Sequence, residues 1–128
     1  NINIEVRVPS KVDLPTGETL KIQLVNNPQN IKKNNSNNIY ISEKYLGQKL
    51  FIRNRKEGDK IFQIDTKTKT RVKKILSNHK NKKEKENVLI LSSDFEIIWI
   101  LGIRQSIDSY VNKYDKKAIE LSFLKNSV

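Results

Sequence analysis

The segment Leu50-Phe51-Ile52-Arg53-Asn54-Arg55-Lys56-Glu57-Gly58-Asp59-Lys60 holds the residues best suited to chemistry, and that chemistry is recognition of phosphate. A guanidinium offers paired, planar N–H donors that match two phosphate oxygens, a geometry that lysine does not reproduce. On an extended strand Phe51, Arg53 and Arg55 share one face while Leu50 and Ile52 take the other. The two arginines then stand about 7 Å apart as a phosphate clamp. The same arrangement also suits two solvent-facing ion pairs, and the spacing alone does not choose between them. Residues 53–85 contain 13 Lys+Arg against 4 Asp+Glu, so most of the chain's net charge of +11 sits in this stretch. Positive charge gathered in this way is the electrostatic footprint of a phosphate-bearing partner. The candidate contacts are Arg53, Arg55, Lys56, Lys60, Lys69, Arg71, Lys73, Lys74, Lys80, Lys82, Lys83, Lys85 and Arg104. The chain has 20 Lys and only 5 Arg among many Asn and Ile, as an AT-rich genome would produce. Part of the lysine excess is therefore background, and the arginines are more telling.

Other chemistries lack their residues. There is no cysteine, which excludes disulfides and thiolate metal sites. His79 is the single histidine and falls on an apolar stripe, which suits a structural role better than a catalytic one. No Ser-His-Asp set or cluster of metal ligands is present, and Gly17, Gly47, Gly58 and Gly102 are too scattered to build a nucleotide loop. Glu57 and Asp59 flank Gly58 beside arginines, where they organise a turn rather than act as acid and base. No catalytic residue is assigned. No apolar run approaches the roughly 18–20 residues of a membrane span, and no signal peptide opens the chain, which points to a cytoplasmic location. A start at Asn1 and the absence of methionine read as a piece cut from a longer protein.

The elements that must position these residues follow from period and punctuation. Ile2, Ile4, Val6 and Val8 alternate with polar residues up to Pro9, and Leu20, Ile22 and Leu24 do so after a Pro15-Thr16-Gly17 turn. Residues 26–38 are asparagine-rich and read as a mobile loop. Further strands are expected at Ile39–Ile41, Leu50–Ile52, Ile61–Ile64, Val88–Leu91, Ile97–Leu101 and Ala118–Leu124. Gly58 with Asp59 forms a turn, Ser93-Asp94 a hairpin, and Gly102 a bulge or close approach. Five successive apolar residues at Ile97–Leu101 predict a central strand covered on both faces, with Trp99 in the core. One helix is expected over roughly 70–80, capped by Thr68 or Thr70, with Val72, Ile75, Leu76 and His79 inward and Lys73, Lys74 and Lys80 toward water. Seven or eight strands and one clear basic helix give an α+β, sheet-dominated domain. Residues 1–38 read as lead-in strands and a mobile loop of that domain, and residues 39–128 as its main body, which carries the basic segment.

The order of these motifs resembles the C-terminal domain of the tRNA(Ile)-lysidine synthetase family. The resemblance is carried by Arg53-Asn54-Arg55-Lys56-Glu57-Gly58-Asp59, Lys73-Lys74, Lys83-Glu84-Lys85 and Trp99-Ile100-Leu101-Gly102-Ile103-Arg104, within about residues 39–124. Two departures stand out: Lys85 occupies the place of a customary arginine, whose neighbouring proline is missing, and Asp65–Thr70 replaces a glycine-bearing loop. The resemblance implies a sandwich-like fold similar to a domain of the phenylalanyl-tRNA synthetase β-subunit. It also implies a part in an ATP-dependent ligase that adenylates the wobble cytidine of an isoleucine tRNA, after which lysine displaces AMP to give lysidine. ATP, with Mg, would be held by an N-terminal catalytic domain outside this chain, leaving no cofactor here and a role in gripping tRNA toward the acceptor stem. A-form RNA hides its major groove, so such a clamp would read phosphate, 2′-hydroxyl and shape. Stacking aromatics are not evident in the sequence, which favours a stem over a single strand. A generic basic RNA-binding module and an interaction domain without nucleic acid are the alternatives.

Overall fold

The computed structural model describes residues 1–28, 34–63, 67–78 and 87–125, and among them strands dominate. β1 (Asn3–Val6), β5 (Leu50–Asn54), β8 (Leu89–Ser93), β9 (Ile97–Ile100) and β10 (Arg104–Gln105) form an antiparallel sheet in that spatial order. β2 (Ser10–Asp13), β3 (Glu18–Asn26), β11 (Lys117–Lys125) and β4 (Asn38–Ser42) form a second. A two-stranded ribbon, β6 (Lys60–Phe62) with β7 (Lys69–Arg71), leads directly into the helix α1 (Val72–Ser77). The first two dozen residues supply strands to both sheets: β1 pairs with β5, and β3 pairs with β11 from Glu18↔Lys125 to Asn26↔Lys117.

Alternation explains the sandwich. Leu20, Ile22, Ile39, Ile41, Ile119 and Leu121 of one sheet meet Leu50, Ile52, Leu89, Leu91, Ile98 and Trp99 of the other in one buried cluster. Burying such side chains is the main favourable term in folding, worth about 1.5–3 kcal/mol each. A second cluster lies on the other face of the larger sheet, where Ile61, Val72, Ile75 and Leu76 cover Val88, Ile90, Ile97 and Ile100. The run at Ile97–Leu101 is apolar throughout because it is covered on both faces. A bulge serves both: Leu91 pairs with Trp99 and Ser92 with Ile97, leaving Ile98 as the extra residue. Ile98 and Trp99 thereby both face the sandwich, while Ile97 and Ile100 face the ribbon and helix.

Two expectations are corrected, the start of the helix and the number of strands. α1 begins at Val72, and Arg71 at its cap makes no side-chain cap hydrogen bond. Neither Thr68 nor Thr70 caps it, because Lys69–Arg71 are drawn into β7 and the Thr70 hydroxyl accepts from Gln63 Nε2 at 2.8 Å. Position 80 lies outside the described residues, as does His79. Of the asparagine-rich stretch, residues 29–33 lie outside the described residues; after them Asn34 bonds the backbone of Tyr40 and donates to Gln105 Oε1 at 2.6 Å, and Asn38 opens β4. Finally, β2, β7 and β10 were not among the expected strands; each is four residues or fewer.

Among the described residues no helix is long and apolar enough to cross a membrane. No group of three His, Cys, Asp or Glu there could hold a metal ion.

Candidate nucleic-acid interface

β5 ends at Asn54, so Arg53 is a strand residue and Arg55 is not. The expected two-arginine clamp on one strand face is therefore not formed. Arg55 lies exposed beyond the strand, whereas Arg53 is half-buried and already engaged. Its Nη1 and Nη2 donate to the two carboxylate oxygens of Asp59 at 2.9 and 3.1 Å, and Nη1 also donates to the Asn54 carbonyl at 3.0 Å. This fork-to-fork geometry is the strongest form of the arginine–carboxylate pair. Asp59 also accepts the Lys56 N–H at 2.7 Å, and its own carbonyl accepts the Val72 N–H at 2.9 Å. Gly58 turns the chain at φ +89°. Burial by itself would raise the Asp59 carboxyl, but the Arg53 guanidinium and the Lys56 N–H outweigh it and hold the group below the usual aspartate value. The R-x-R-x-x-G-D motif is thus a brace that joins β5, the turn and the start of α1.

What the brace presents is the ribbon. Lys60 stands opposite Arg71, and Phe62 opposite Lys69, so all four side chains share one face. Lys60, Lys69 and Arg71 are exposed and Phe62 is half-exposed, while Ile61 on the opposite face is buried. Like charges placed directly across a strand pair repel, and an anion laid over the face relieves that cost. Lys73 and Lys74 extend the cationic surface along α1, whose Val72, Ile75 and Leu76 are buried; Lys56 is exposed at the turn. Arg104 does not join this surface freely. It is half-buried and its Nη1 donates to Gln63 Oε1, which ties β10 to the end of the ribbon. Gly102, in the β9–β10 turn at φ +77°, lets that strand return beside Asn37 and Phe123. Lys80, Lys82, Lys83 and Lys85 lie outside the described residues.

The ribbon forms one wall of a cleft of about 490 Å³, lined also by the β8–β9 hairpin tip and Asp108. Phe95 at that tip is 84% exposed, an aromatic that the sequence reading passed over. The signal was its place directly after Ser93-Asp94, in a turn where polar residues are the rule. Trp99, by contrast, is fully buried and meets Phe123 edge to face at 6.2 Å.

No family model matches the chain. Among curated proteins, it is 27% identical over 98% of its length to a tRNA(Ile)-lysidine synthase of Oceanobacillus iheyensis. It is 28% identical over 78% of its length to the tRNA(Ile)-lysidine synthase of Clostridium acetobutylicum. The chain spans 27% and 22% of those two proteins, about a quarter of each. Its fold matches a crystal structure of the TILS C-terminal domain with a TM-score of 0.84, covering 98% of both chains at 19% identity. The chain is therefore similar in sequence to tRNA(Ile)-lysidine synthases, and it has the fold of the TILS C-terminal domain.

Proposed function

We propose that this chain is the tRNA-gripping C-terminal domain of an ATP-dependent carbon–nitrogen ligase that attaches lysine to the wobble cytidine of an isoleucine tRNA. The single observation that carries the reading is the exposed face of Lys60, Lys69 and Arg71 beside Lys73 and Lys74, in a chain with this fold. The ribbon and α1 form a cationic ridge that follows a phosphate backbone, aimed at the acceptor-stem region of the tRNA. ATP and its Mg²⁺ belong to an N-terminal catalytic domain, the partner of this one in a cytoplasmic enzyme. This chain contributes affinity and placement, and chemistry proceeds elsewhere. Kinship with the sandwich-like domain of the phenylalanyl-tRNA synthetase β-subunit is part of the same reading.

Arg53 enters this function indirectly. Its guanidinium is committed to Asp59, so it stiffens the turn from which Lys56 and Lys60 project. The test is anisotropy of labelled tRNA over a potassium chloride series. The logarithm of the association constant should fall linearly with the logarithm of salt, and Lys60→Ala/Lys69→Ala/Arg71→Ala should weaken binding and flatten the slope by about 0.7–0.9 per lost phosphate contact. Unchanged affinity and slope in the triple variant would remove the ribbon from the interface. Lysine transfer to tRNA by this chain alone would refute the division of labour.

A further inference from the structure

A singly exposed aromatic is ordinary on a protein surface. Phe95 differs because it is held in place and because of what lies around it. The Ser93 hydroxyl accepts the N–H of Phe95 at 3.1 Å and that of Glu96 at 3.2 Å, fixing the hairpin tip. The ring lines the 490 Å³ cleft, whose ribbon wall carries Lys60, Phe62 and Lys69. The hairpin side carries Asp94 and Glu96, with Asp108 nearby along the lining. Glu96 is occupied, since it accepts the hydroxyl of the buried Tyr45, whereas Asp94 and Asp108 are exposed carboxylates. One wall therefore attracts phosphate and the other repels it.

A cleft polarised in this way, with an aromatic face in it, orients one kind of ligand. Resting on the RNA-binding reading above, we propose that it takes an unpaired ribonucleotide: its phosphate against Lys60 and Lys69, its base stacked on Phe95, and an exocyclic amine donated to Asp94 or Asp108. Every base has a π-face, so stacking alone is indifferent to sequence. Carboxylates accept hydrogen bonds and cannot donate them, so they favour cytosine, which has an amine, over uracil, which has a carbonyl at that position. A single-stranded end beside a gripped stem meets this description.

The test uses the whole chain and three RNA probes: a blunt hairpin, and the same hairpin with a short 3′ extension of cytidines or of uridines. The cytidine extension should tighten binding by at least about fivefold, the lower end of what one base–aromatic stack supplies. Phe95→Ala should abolish that gain and leave both the blunt-hairpin affinity and the melting temperature unchanged. Phe95→Trp should keep the gain, with the new indole quenched by the extended probe. Asp94→Asn/Asp108→Asn should erase the preference for cytidine over uridine. A gain that survives Phe95→Ala, or no gain at all on a hairpin that binds, overturns this inference and leaves the RNA-binding reading standing. Failure of even the blunt hairpin to bind takes down both.

Discussion

Arg53 and Asp59, six positions apart, face each other across the turn between β5 and β6, with Nη1 donating to Oδ2 at 2.9 Å and Nη2 to Oδ1 at 3.1 Å. The pair is only partly exposed, at 15% and 11% for the two side chains. The arginine that the motif offers to a phosphate is thus spent on the fold, and its partner is the aspartate of the same motif.

The pair has a pH signature. A carboxyl held below its ordinary value stabilises the folded state while ionised, so its contribution is complete above the unfolded value of about 3.9. It fades as pH falls through the lower folded value. Asp59→Asn should lower stability at pH 7 by about 1–2 kcal/mol, the size of a charge-assisted hydrogen-bond loss near the surface. The melting-temperature gap from wild type should narrow steadily below about pH 4. A gap that stays constant down to pH 2.5 would mean that the carboxylate charge is irrelevant.

Arg53→Ala and Arg71→Ala should separate into different phenotypes. The first leaves Asp59 without its cation and should lower the melting temperature, with tRNA affinity falling only through the loosened turn. The second removes an exposed cation and should leave melting unchanged while reducing affinity and the salt slope. Calorimetry and anisotropy on both variants decide, and the opposite pattern would place Arg53 on the RNA.

Trp99 is fully buried between the sheets, and removing so large a side chain leaves a cavity. Trp99→Ala should cost about 3–5 kcal/mol. Its Nε1–H has no hydrogen-bond partner, so Trp99→Phe gives up volume without orphaning a bond and should cost clearly less. Denaturant titration checks the order. Wild-type indole emission should be at short wavelength and resist iodide, in contrast with a stacking platform.

Two glycines allow a paired comparison. Gly58 and Gly102 both have positive φ, at +89° and +77°. A Cβ on Gly58 would meet nothing within 4 Å, whereas one on Gly102 would stand 3.4 Å from Asn37 Oδ1 and from the Phe123 ring. Backbone strain of about 1–3 kcal/mol applies to alanine at either site. The contacts at Gly102 are at ordinary van der Waals distance, so backbone strain governs both sites, and Gly102→Ala and Gly58→Ala should each lower the melting temperature by a similar amount. A much larger drop at Gly102 would show that Asn37 and Phe123 leave no room for a methyl group.

How much of this was legible from residues alone depends on the range of the interaction. Strand alternation around Leu20, Ile22, Ile39, Leu50, Ile52 and Ile119 states which faces are buried, because hydrophobic burial is non-directional and needs no particular partner. Five apolar residues in a row around Trp99 likewise require cover on both faces, and the motif order around Gly58 and Gly102 already pointed to the right relatives. Partnership is another matter. That Arg53 closes on Asp59, that Arg104 is taken by Gln63, and that Asn34 reaches Gln105 are decisions of tertiary geometry, since a directional bond forms only where the fold brings donor to acceptor. β2, β7 and β10 are too short to show a period and exist because β3, β6 and β9 offer them backbone partners. The ribbon in turn moves the start of α1 to Val72 by taking Lys69–Arg71 as strand. Phe95 is exposed because it lies between the end of β8 at Ser93 and the start of β9 at Ile97, and that it faces the ribbon across a cleft is again a matter of tertiary geometry.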